Sequence, residues 1–112
     1  MTESALRRPE PTEIKNLLVR VYLTESRANM ARVMTLLHAS GKIRGATAFR
    51  GCAGFGSSGS FYVEGGDPPV VDRPVVLEFF DTEASVGATI TYIKSLVAPR
   101  HIIVIPVIAI PI

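Results

Sequence analysis

The chain has 112 residues, of which 47% are hydrophobic and 20% charged, which is typical of one folded domain and excludes a disordered or two-domain protein. Its formal net charge of +2, from 12 basic and 10 acidic side chains, is too balanced to favour nucleic-acid binding through phosphate contacts. The single cysteine, Cys52, excludes an internal disulfide and paired-cysteine zinc motifs, and it is consistent with a reducing cytoplasm.

Residues 1–15 are predicted to form a flexible N-terminal arm, because Pro9 and Pro11 lie among charges that cancel. The arm has no apolar run, so it predicts neither a signal peptide nor a membrane-inserted segment. We expect one domain, at residues 16–112, to follow it.

The first predicted strand covers residues 16–24. Apolar residues alternate along it, with one side formed by Leu17, Val19, Val21 and Leu23 and the other by Leu18, Arg20 and Tyr22. A helix is predicted next, with Ser26 as its N-cap and Gly41 in a left-handed conformation at its end. Its buried stripe has helical spacing and comprises Met30, Val33, Met34 and Leu37.

Two further strands are predicted at residues 45–52 and 75–80, and a long connection at about residues 57–73 separates them. Six of the nine glycines lie between Gly51 and Gly66, which indicates backbone freedom or close approach to a ligand. Gly54, Gly56 and Gly59 fit the dinucleotide-binding pattern formally, but no helical pattern follows to hold a pyrophosphate. The Rossmann and P-loop interpretations are therefore set aside.

A second helix is predicted after Phe80, capped by Asp81 or Thr82 and stopped by Pro99. Its buried stripe comprises Val86, Ile90, Ile93 and Val97. Residues 101–112 form a β-branched run in which Pro106 and Pro111 each lack a backbone donor, so we expect an edge strand.

The resulting order, βαββαβ, predicts an α+β ferredoxin-like sandwich in which a four-stranded antiparallel sheet carries both helices on one face. The expected strand order is 4-1-3-2, which would place Arg20, Arg50 and Glu78 together on the helix-free face. That face also carries apolar side chains, so we expect a second copy of the chain to cover it, with Glu78 between two guanidiniums. The alternative is that these charged side chains form an exposed cluster that contributes little to the free energy of folding.

The long connection is predicted to be mobile and functional because of its length. Its acidic residues, Glu64, Asp67 and Asp72, outweigh Arg73, and Phe61, Tyr62 and Val63 would form an apolar tip for a partner protein. The alternative is a connection with no binding role. Residues 16–56, by contrast, carry a local charge of +5, which favours an anionic ligand near the start of the connection.

Two segments, RGCAGFG at residues 50–56 and LEFFDTE at residues 77–83, resemble the PII-like signalling superfamily, and within it most closely the domain of unknown function 190 family. The similarity spans residues 16–107, and the G-F-G at residues 54–56 is its most specific element. The resemblance implies a homotrimer whose sheets face one another. It also implies adenine nucleotides bound in clefts between subunits, and a long T-loop that signals to a target such as a membrane transporter.

The resemblance also places the site residues. It puts the loop base beside the nucleotide, at Gly54, Phe55 and Gly56, with Ser57 and Ser58 as the nearest hydroxyls. The long connection corresponds to the T-loop, and from its own composition we predict Phe61, Tyr62 and Glu64 as the partner-binding residues. Arg100 would supply a phosphate-binding cation in a short turn at residues 98–101, where PII proteins have a glycine-rich, lysine-bearing turn. No cofactor is implied beyond a nucleotide ligand.

Two other functions remain open at the sequence level. A small enzyme on the same scaffold would use His38, His101 or Cys52, but the histidines read as surface residues and the cysteine as a small packed thiol. A CutA-like metal-tolerance trimer would need a ligand cluster, and one cysteine, two histidines and three methionines show none. The sequence therefore predicts a cytoplasmic, non-enzymatic regulator that binds a small anion and signals to a protein partner, with no catalytic or metal-ligating residue assigned.

Overall fold

A computed structural model describes residues 14–25, 29–56, 59–66, 72–97 and 100–110. Two helices, one short 3-10 turn and six strands follow one another as β1 (Ile14–Thr24), α1 (Asn29–Ser40), β2 (Thr47–Arg50), β3 (Ala53–Phe55), β4 (Phe61–Val63), β5 (Pro74–Asp81), α2 (Glu83–Ile93), the turn Lys94–Leu96 and β6 (Ile102–Ala109). Most of the arm predicted at residues 1–15, and the predicted cap Ser26, lie outside the described residues. The first strand begins at Ile14, two residues earlier than predicted.

The main sheet has four antiparallel strands in the order β2-β5-β1-β6, as the sequence predicted. In the pairing of β1 with β5, Val19 lies opposite Phe79 and Arg20 opposite Glu78. β6 pairs with β1 alone, so Pro106 occupies an edge strand, where its missing N–H costs no ladder hydrogen bond. The α+β ferredoxin-like sandwich is therefore confirmed.

The core lies between the sheet and the two helices. Apolar alternation in β1 and β5 buries most of one face of each strand, including Val19, Val21, Val75 and Leu77, and both predicted helical stripes pack against that face. Val33 and Leu37 of α1 and Val86 and Ile93 of α2 are almost fully buried, while Met30, Met34, Ile90 and Val97 are partly buried around them.

Local signals set the helix ends. Thr82 is the N-cap of α2, since its hydroxyl accepts a hydrogen bond from the Ser85 N–H at 3.3 Å. The buried Asp81 carboxylate accepts from the N–H groups of Thr82, at 2.8 Å, and of Arg44, at 3.2 Å. Of the two predicted caps, Thr82 is therefore the one that caps the helix, and Asp81 fixes the backbone just before it. Gly41 follows α1 at φ 64°, as predicted.

The segment between β2 and β5 differs from the open connection that the sequence predicted. β3 and β4 form a two-stranded hairpin in which Gly54 lies opposite Tyr62 and Phe55 opposite Phe61. Ser57, Ser58 and Asp67 lie outside the described residues. Residues 53–55 and 61–63 show no strong alternation of apolar and polar side chains, so the sequence pattern did not predict that these two segments pair.

Candidate functional site

The hairpin base and the turn before β6 lie at the same end of the main sheet. β1 and β2 end there, at Thr24 and Arg50, and β5 and β6 begin there, at Pro74 and Ile102. This sheet end, defined by residues 24–25, 50–51, 73–74 and 100–101, brings together segments that are far apart in sequence. Arg100, one of the ligand residues that the resemblance implies, belongs to this sheet end.

Gly51 lets the hairpin leave the sheet in close contact with β5. Its N–H donates to the Pro74 carbonyl at 2.8 Å, and a Cβ at this position would lie 2.9 Å from Pro74 Cγ and 3.2 Å from the carbonyl oxygen. A side chain therefore has no room here. The Glu64 N–H donates to the Cys52 carbonyl at 2.7 Å and closes the hairpin just beyond this point.

Arg73 attaches the hairpin to the sheet. Its Nε donates to the Tyr62 hydroxyl at 2.7 Å, and its guanidinium carbon lies 5.2 Å from the centroid of the Tyr62 ring. Tyr62 is only 6% exposed, so its ring and hydroxyl face inward, toward Arg73. The hydrogen bond to Tyr62 is the main cause that raises the pKa of Arg73; desolvation opposes it, and the charges of Tyr62, Glu64 and Glu25 raise the pKa by smaller amounts. Arg73 is therefore charged throughout the physiological pH range.

The Glu25 carboxylate lies between two arginines at this sheet end. Its Oε1 is 2.7 Å from Arg50 Nη2, and its Oε2 is 3.9 Å from Arg73 Nε. Arg73 Nη2 also lies 3.8 Å from Glu64 Oε1 in the hairpin. The sequence pattern did not single out Glu25 and Arg73 as site residues, because only the strand register brings residues 25, 50 and 73 together.

Of the ligand residues implied by the resemblance, Gly54 and Phe55 lie in β3 and Gly56 follows it. Ser57 and Ser58 lie outside the described residues. Arg100 is exposed and has φ 66°, an uncommon conformation for a residue with a side chain, and the neighbouring ring nitrogen of His101, Nδ1, lies 3.2 Å from the Tyr22 carbonyl. The turn and the hairpin share the sheet end, with β5 and β1 between them.

The outer face of the hairpin is apolar. Phe55 and Phe61 are 75% and 58% exposed, and their rings stack at 5.8 Å with 17° between the planes. Ala53 and Val63 extend the same face, whereas Tyr62 lies on the other. The prediction that Tyr62 belongs to an exposed apolar tip is therefore wrong, because alternation along β4 turns it inward. Glu64 is exposed beside this face.

The helix-free face of the sheet carries Arg20 and Glu78 as a cross-strand pair, with 3.1 Å between Nε and Oε2. The prediction that Arg50 joins them is wrong. Arg50 lies opposite the buried Val75, on the other side of β2 from Phe49, and it pairs with Glu25 instead. The exposed large apolar residues on this face are Tyr22, Phe49, Phe80, Ile103 and Ile105.

An open groove of about 610 Å³ lies along β2 and β5, away from the hairpin end. It combines a guanidinium, a carboxylate and aromatic rings, and its lining includes Arg44, Thr47, Phe49, Glu78 and Phe80. None of the ligand residues implied by the resemblance is among those lining it. Part of the groove opens on the helix-free face, where Phe49, Glu78 and Phe80 lie.

The candidates for catalysis are dispersed. His38 lies exposed in the last turn of α1, and His101 is at the sheet end. Cys52 is exposed, which corrects the expectation of a packed thiol, because the chain bends into the hairpin at this point. Within the described ranges, no three histidine, cysteine or acidic side chains come together as a metal site. No described helix has the length and apolar character needed to cross a membrane.

Comparison with known proteins supports the fold. The chain superposes on the CPII protein of Thiomonas intermedia K12 bound to ADP and bicarbonate, with a TM-score of 0.65 and 19% identity over 87% of this chain and 90% of that one. It also superposes on Arabidopsis thaliana PII bound to citrate, with a TM-score of 0.57 and 22% identity over 84% of this chain and 78% of that one.

No curated protein sequence matches the chain. Residues 16–109, however, match the DUF190 family, described as "Uncharacterized ACR, COG1993". This match covers nearly all of the described residues, from β1 to the end of β6. The chain therefore belongs to the DUF190 family, and its fold is that of the PII-like proteins.

Proposed function

We propose that this protein is a non-enzymatic, cytoplasmic PII-like regulator. It forms a homotrimer, binds a small anion in the clefts between subunits, with an adenine nucleotide as the first candidate, and signals through the hairpin to a protein partner such as a membrane transporter. The observation that carries the proposal is the sheet end, where Arg73 contacts Tyr62 of the hairpin and where Arg50 and Arg73 both lie beside the Glu25 carboxylate. Family membership and the two PII-like folds with bound anions support it.

The helix-free face supports the homotrimer. Phe49 and Phe80 are each 53% exposed on it, beside Tyr22, Ile103 and Ile105. Monomeric soluble proteins seldom leave so large an apolar surface in water, and a second copy of the same chain is the simplest cover. Arg20 and Glu78 lie in its middle, so the pair fixes how two copies meet.

The hairpin supports signalling to a partner. Its outer face presents Phe55, Phe61 and Val63 to solvent, while Glu64 adds an acidic rim. Aromatic side chains contribute strongly to protein interfaces because they bury a large area at small entropic cost. The partner-binding residues are therefore proposed as Phe61 and Glu64 together with Phe55, while Tyr62 holds the hairpin from behind.

The anion is proposed to bind at the sheet end, with backbone N–H groups of residues 54–58 and the guanidinium of Arg100 as its donors. The experiment is calorimetric titration of the purified protein with ATP, ADP, AMP and cyclic dinucleotides at up to millimolar concentration. Arg100→Gln is expected to weaken binding about tenfold, since one charge-assisted contact is lost. Absence of heat for every nucleotide in the wild type would contradict the nucleotide part of the proposal.

Arg44→Gln is the matched control, because Arg44 is exposed and lines the separate groove. It should leave nucleotide affinity unchanged. A loss of affinity in Arg44→Gln and not in Arg100→Gln would move the ligand from the sheet end to the groove. Turnover of any nucleotide by the wild type, followed by chromatography of the products, would contradict a non-enzymatic function.

A further inference from the structure

The Glu25 carboxylate lies beside the guanidiniums of Arg50 and Arg73, two positive charges that would also attract another small oxyanion. Arg50 Nη2 lies 2.7 Å from Glu25 Oε1, and the Arg73 guanidinium, whose Nε–H donates to Tyr62, lies beside Oε2 with 3.9 Å between Nε and that oxygen. A phosphate or another small oxyanion in place of this carboxylate would accept a hydrogen bond from Arg50 and would be attracted by the charge of Arg73. The two arginines would therefore favour a small oxyanion as a ligand.

The backbone around the two guanidiniums is fixed. Arg50 ends β2, where the Gly51 N–H donates to the Pro74 carbonyl at 2.8 Å. The Arg73 carbonyl accepts from the Glu25 N–H at 2.9 Å, so β1 and β5 stay paired through this point. Two positive side chains are therefore positioned by neighbouring strands of one sheet, which reduces the ordering needed to bind an anion.

The Glu25 carboxylate is accessible to solvent, so another anion could take its place beside the two arginines. The side chains of Glu25, Arg50 and Arg73 are 33%, 59% and 27% exposed, so a small anion can reach all three from solvent. Ion pairs at such exposure contribute little to stability and are screened by salt, so a competing dianion can displace Glu25. Glu25 itself can turn outward into water once it is released.

We propose that Arg50 and Arg73 form a binding site for a small oxyanion, and that Glu25 is an internal competitor which occupies this site until the ligand displaces it. The inference rests on the proposed small-anion function, but it needs neither a nucleotide nor a trimer. Because Arg73 also holds Tyr62 and Glu64, the same displacement changes the contacts that attach the hairpin to the sheet.

The test is calorimetric titration of the full chain with inorganic phosphate, and separately with ADP. Glu25→Gln removes the competing charge and is expected to raise phosphate affinity about tenfold over the wild type. Glu83→Gln is the matched control, because Glu83 begins α2 at the opposite end of the sheet. The double variant E25Q/R50Q should lose the gain. If Glu25→Gln has a higher affinity for phosphate alone, the site binds a free anion. If its affinity for both phosphate and ADP is higher, the site is a subsite for a nucleotide phosphate.

Phosphate and ADP affinities in Glu25→Gln no higher than in Glu83→Gln would overturn the inference. If the wild-type protein nevertheless binds ADP, the proposed function stands and only this inference fails. If Glu25→Gln gains affinity for phosphate but no nucleotide binds to the protein, this inference stands and the nucleotide part of the proposed function fails. Thermal unfolding shows whether Glu25→Gln folds. If it does not, Arg50→Gln in the wild-type background must weaken phosphate binding while Arg32→Gln, on the exposed side of α1, leaves it unchanged.

Discussion

The Nε of Arg73, just before β5, donates to the hydroxyl of Tyr62, in the hairpin, at 2.7 Å. This contact attaches the hairpin to the rigid sheet, although the sequence pattern predicted an open connection for that segment. The Tyr62 ring packs beside the same guanidinium, so one arginine holds both the polar and the apolar part of the side chain. The hairpin conformation therefore depends on Arg73 and on whatever else that guanidinium contacts.

Tyr62→Phe should loosen the hairpin while keeping the ring packed. The variant loses the acceptor for a charged donor, and we expect the exchange rate of the Glu64 amide to rise roughly tenfold, measured by hydrogen–deuterium exchange. Tyr92→Phe is the control, because Tyr92 is 46% exposed on α2. Equal exchange in both variants would show that the hydroxyl does not hold the hairpin.

The same contact predicts no pH-dependent opening between pH 5 and about 9. The pKa of Arg73 is raised in the folded state, so its contribution is complete below the unfolded pKa and is lost only at strongly alkaline pH. Hydrogen exchange of the hairpin, corrected for its intrinsic pH dependence, should be flat over this range. A step near neutral pH would identify a different group as the one that holds the hairpin.

Gly51→Ala should destabilise the fold by about 1–3 kcal/mol, because the new Cβ meets the Pro74 ring and carbonyl, which cannot move without disturbing β5. Urea denaturation followed by circular dichroism measures the change. Gly45→Ala has open space around its Cβ, and should be neutral or slightly stabilising. Two variants of equal stability would mean that the hairpin can shift away from Pro74 freely.

Asn16→Leu should stabilise the protein by about 1–3 kcal/mol. Asn16 is 3% exposed in β1, and neither its Oδ1 nor its Nδ2 has a hydrogen-bond partner in the part of the chain that the structure describes. An apolar side chain of similar size removes that unpaired amide. Asn16→Asp is the opposing control, which buries a charge at the same position and should lower the melting temperature; a lower melting temperature for Asn16→Leu as well would contradict the account.

Phe80→Glu should convert the proposed trimer to monomers, since it places a charge in the middle of the apolar helix-free face. Sedimentation velocity at micromolar concentration measures the subunit number. Tyr92→Glu is the control, as it changes a similarly exposed aromatic residue on the helix side. A wild-type protein that sediments as a monomer would contradict the homotrimer.

Local patterns were sufficient to predict the βαββαβ order of the main sheet and its helices, both buried helical stripes and the left-handed Gly41, but they did not indicate the β3–β4 hairpin. These features follow from hydrophobic periodicity and capping chemistry, which act over a few neighbouring residues. The strand order followed as well, because right-handed crossovers leave few arrangements for this element order. The G-F-G and LEFFDTE segments were enough to indicate the family to which the chain belongs.

Which side chains meet was decided only by the tertiary structure. Arg50 was expected beside Glu78, but β2 pairs with β5 in a register that sets Arg50 opposite Val75 and directs it to Glu25. A shift of one residue reverses the face of every side chain in a strand, and no local pattern fixes that register in a strand as short as β2. The same reason applies to the contact of Tyr62 with Arg73 and to the contacts of Glu25 with two arginines. These contacts join segments that are distant in sequence, and only the folded structure brings such segments together.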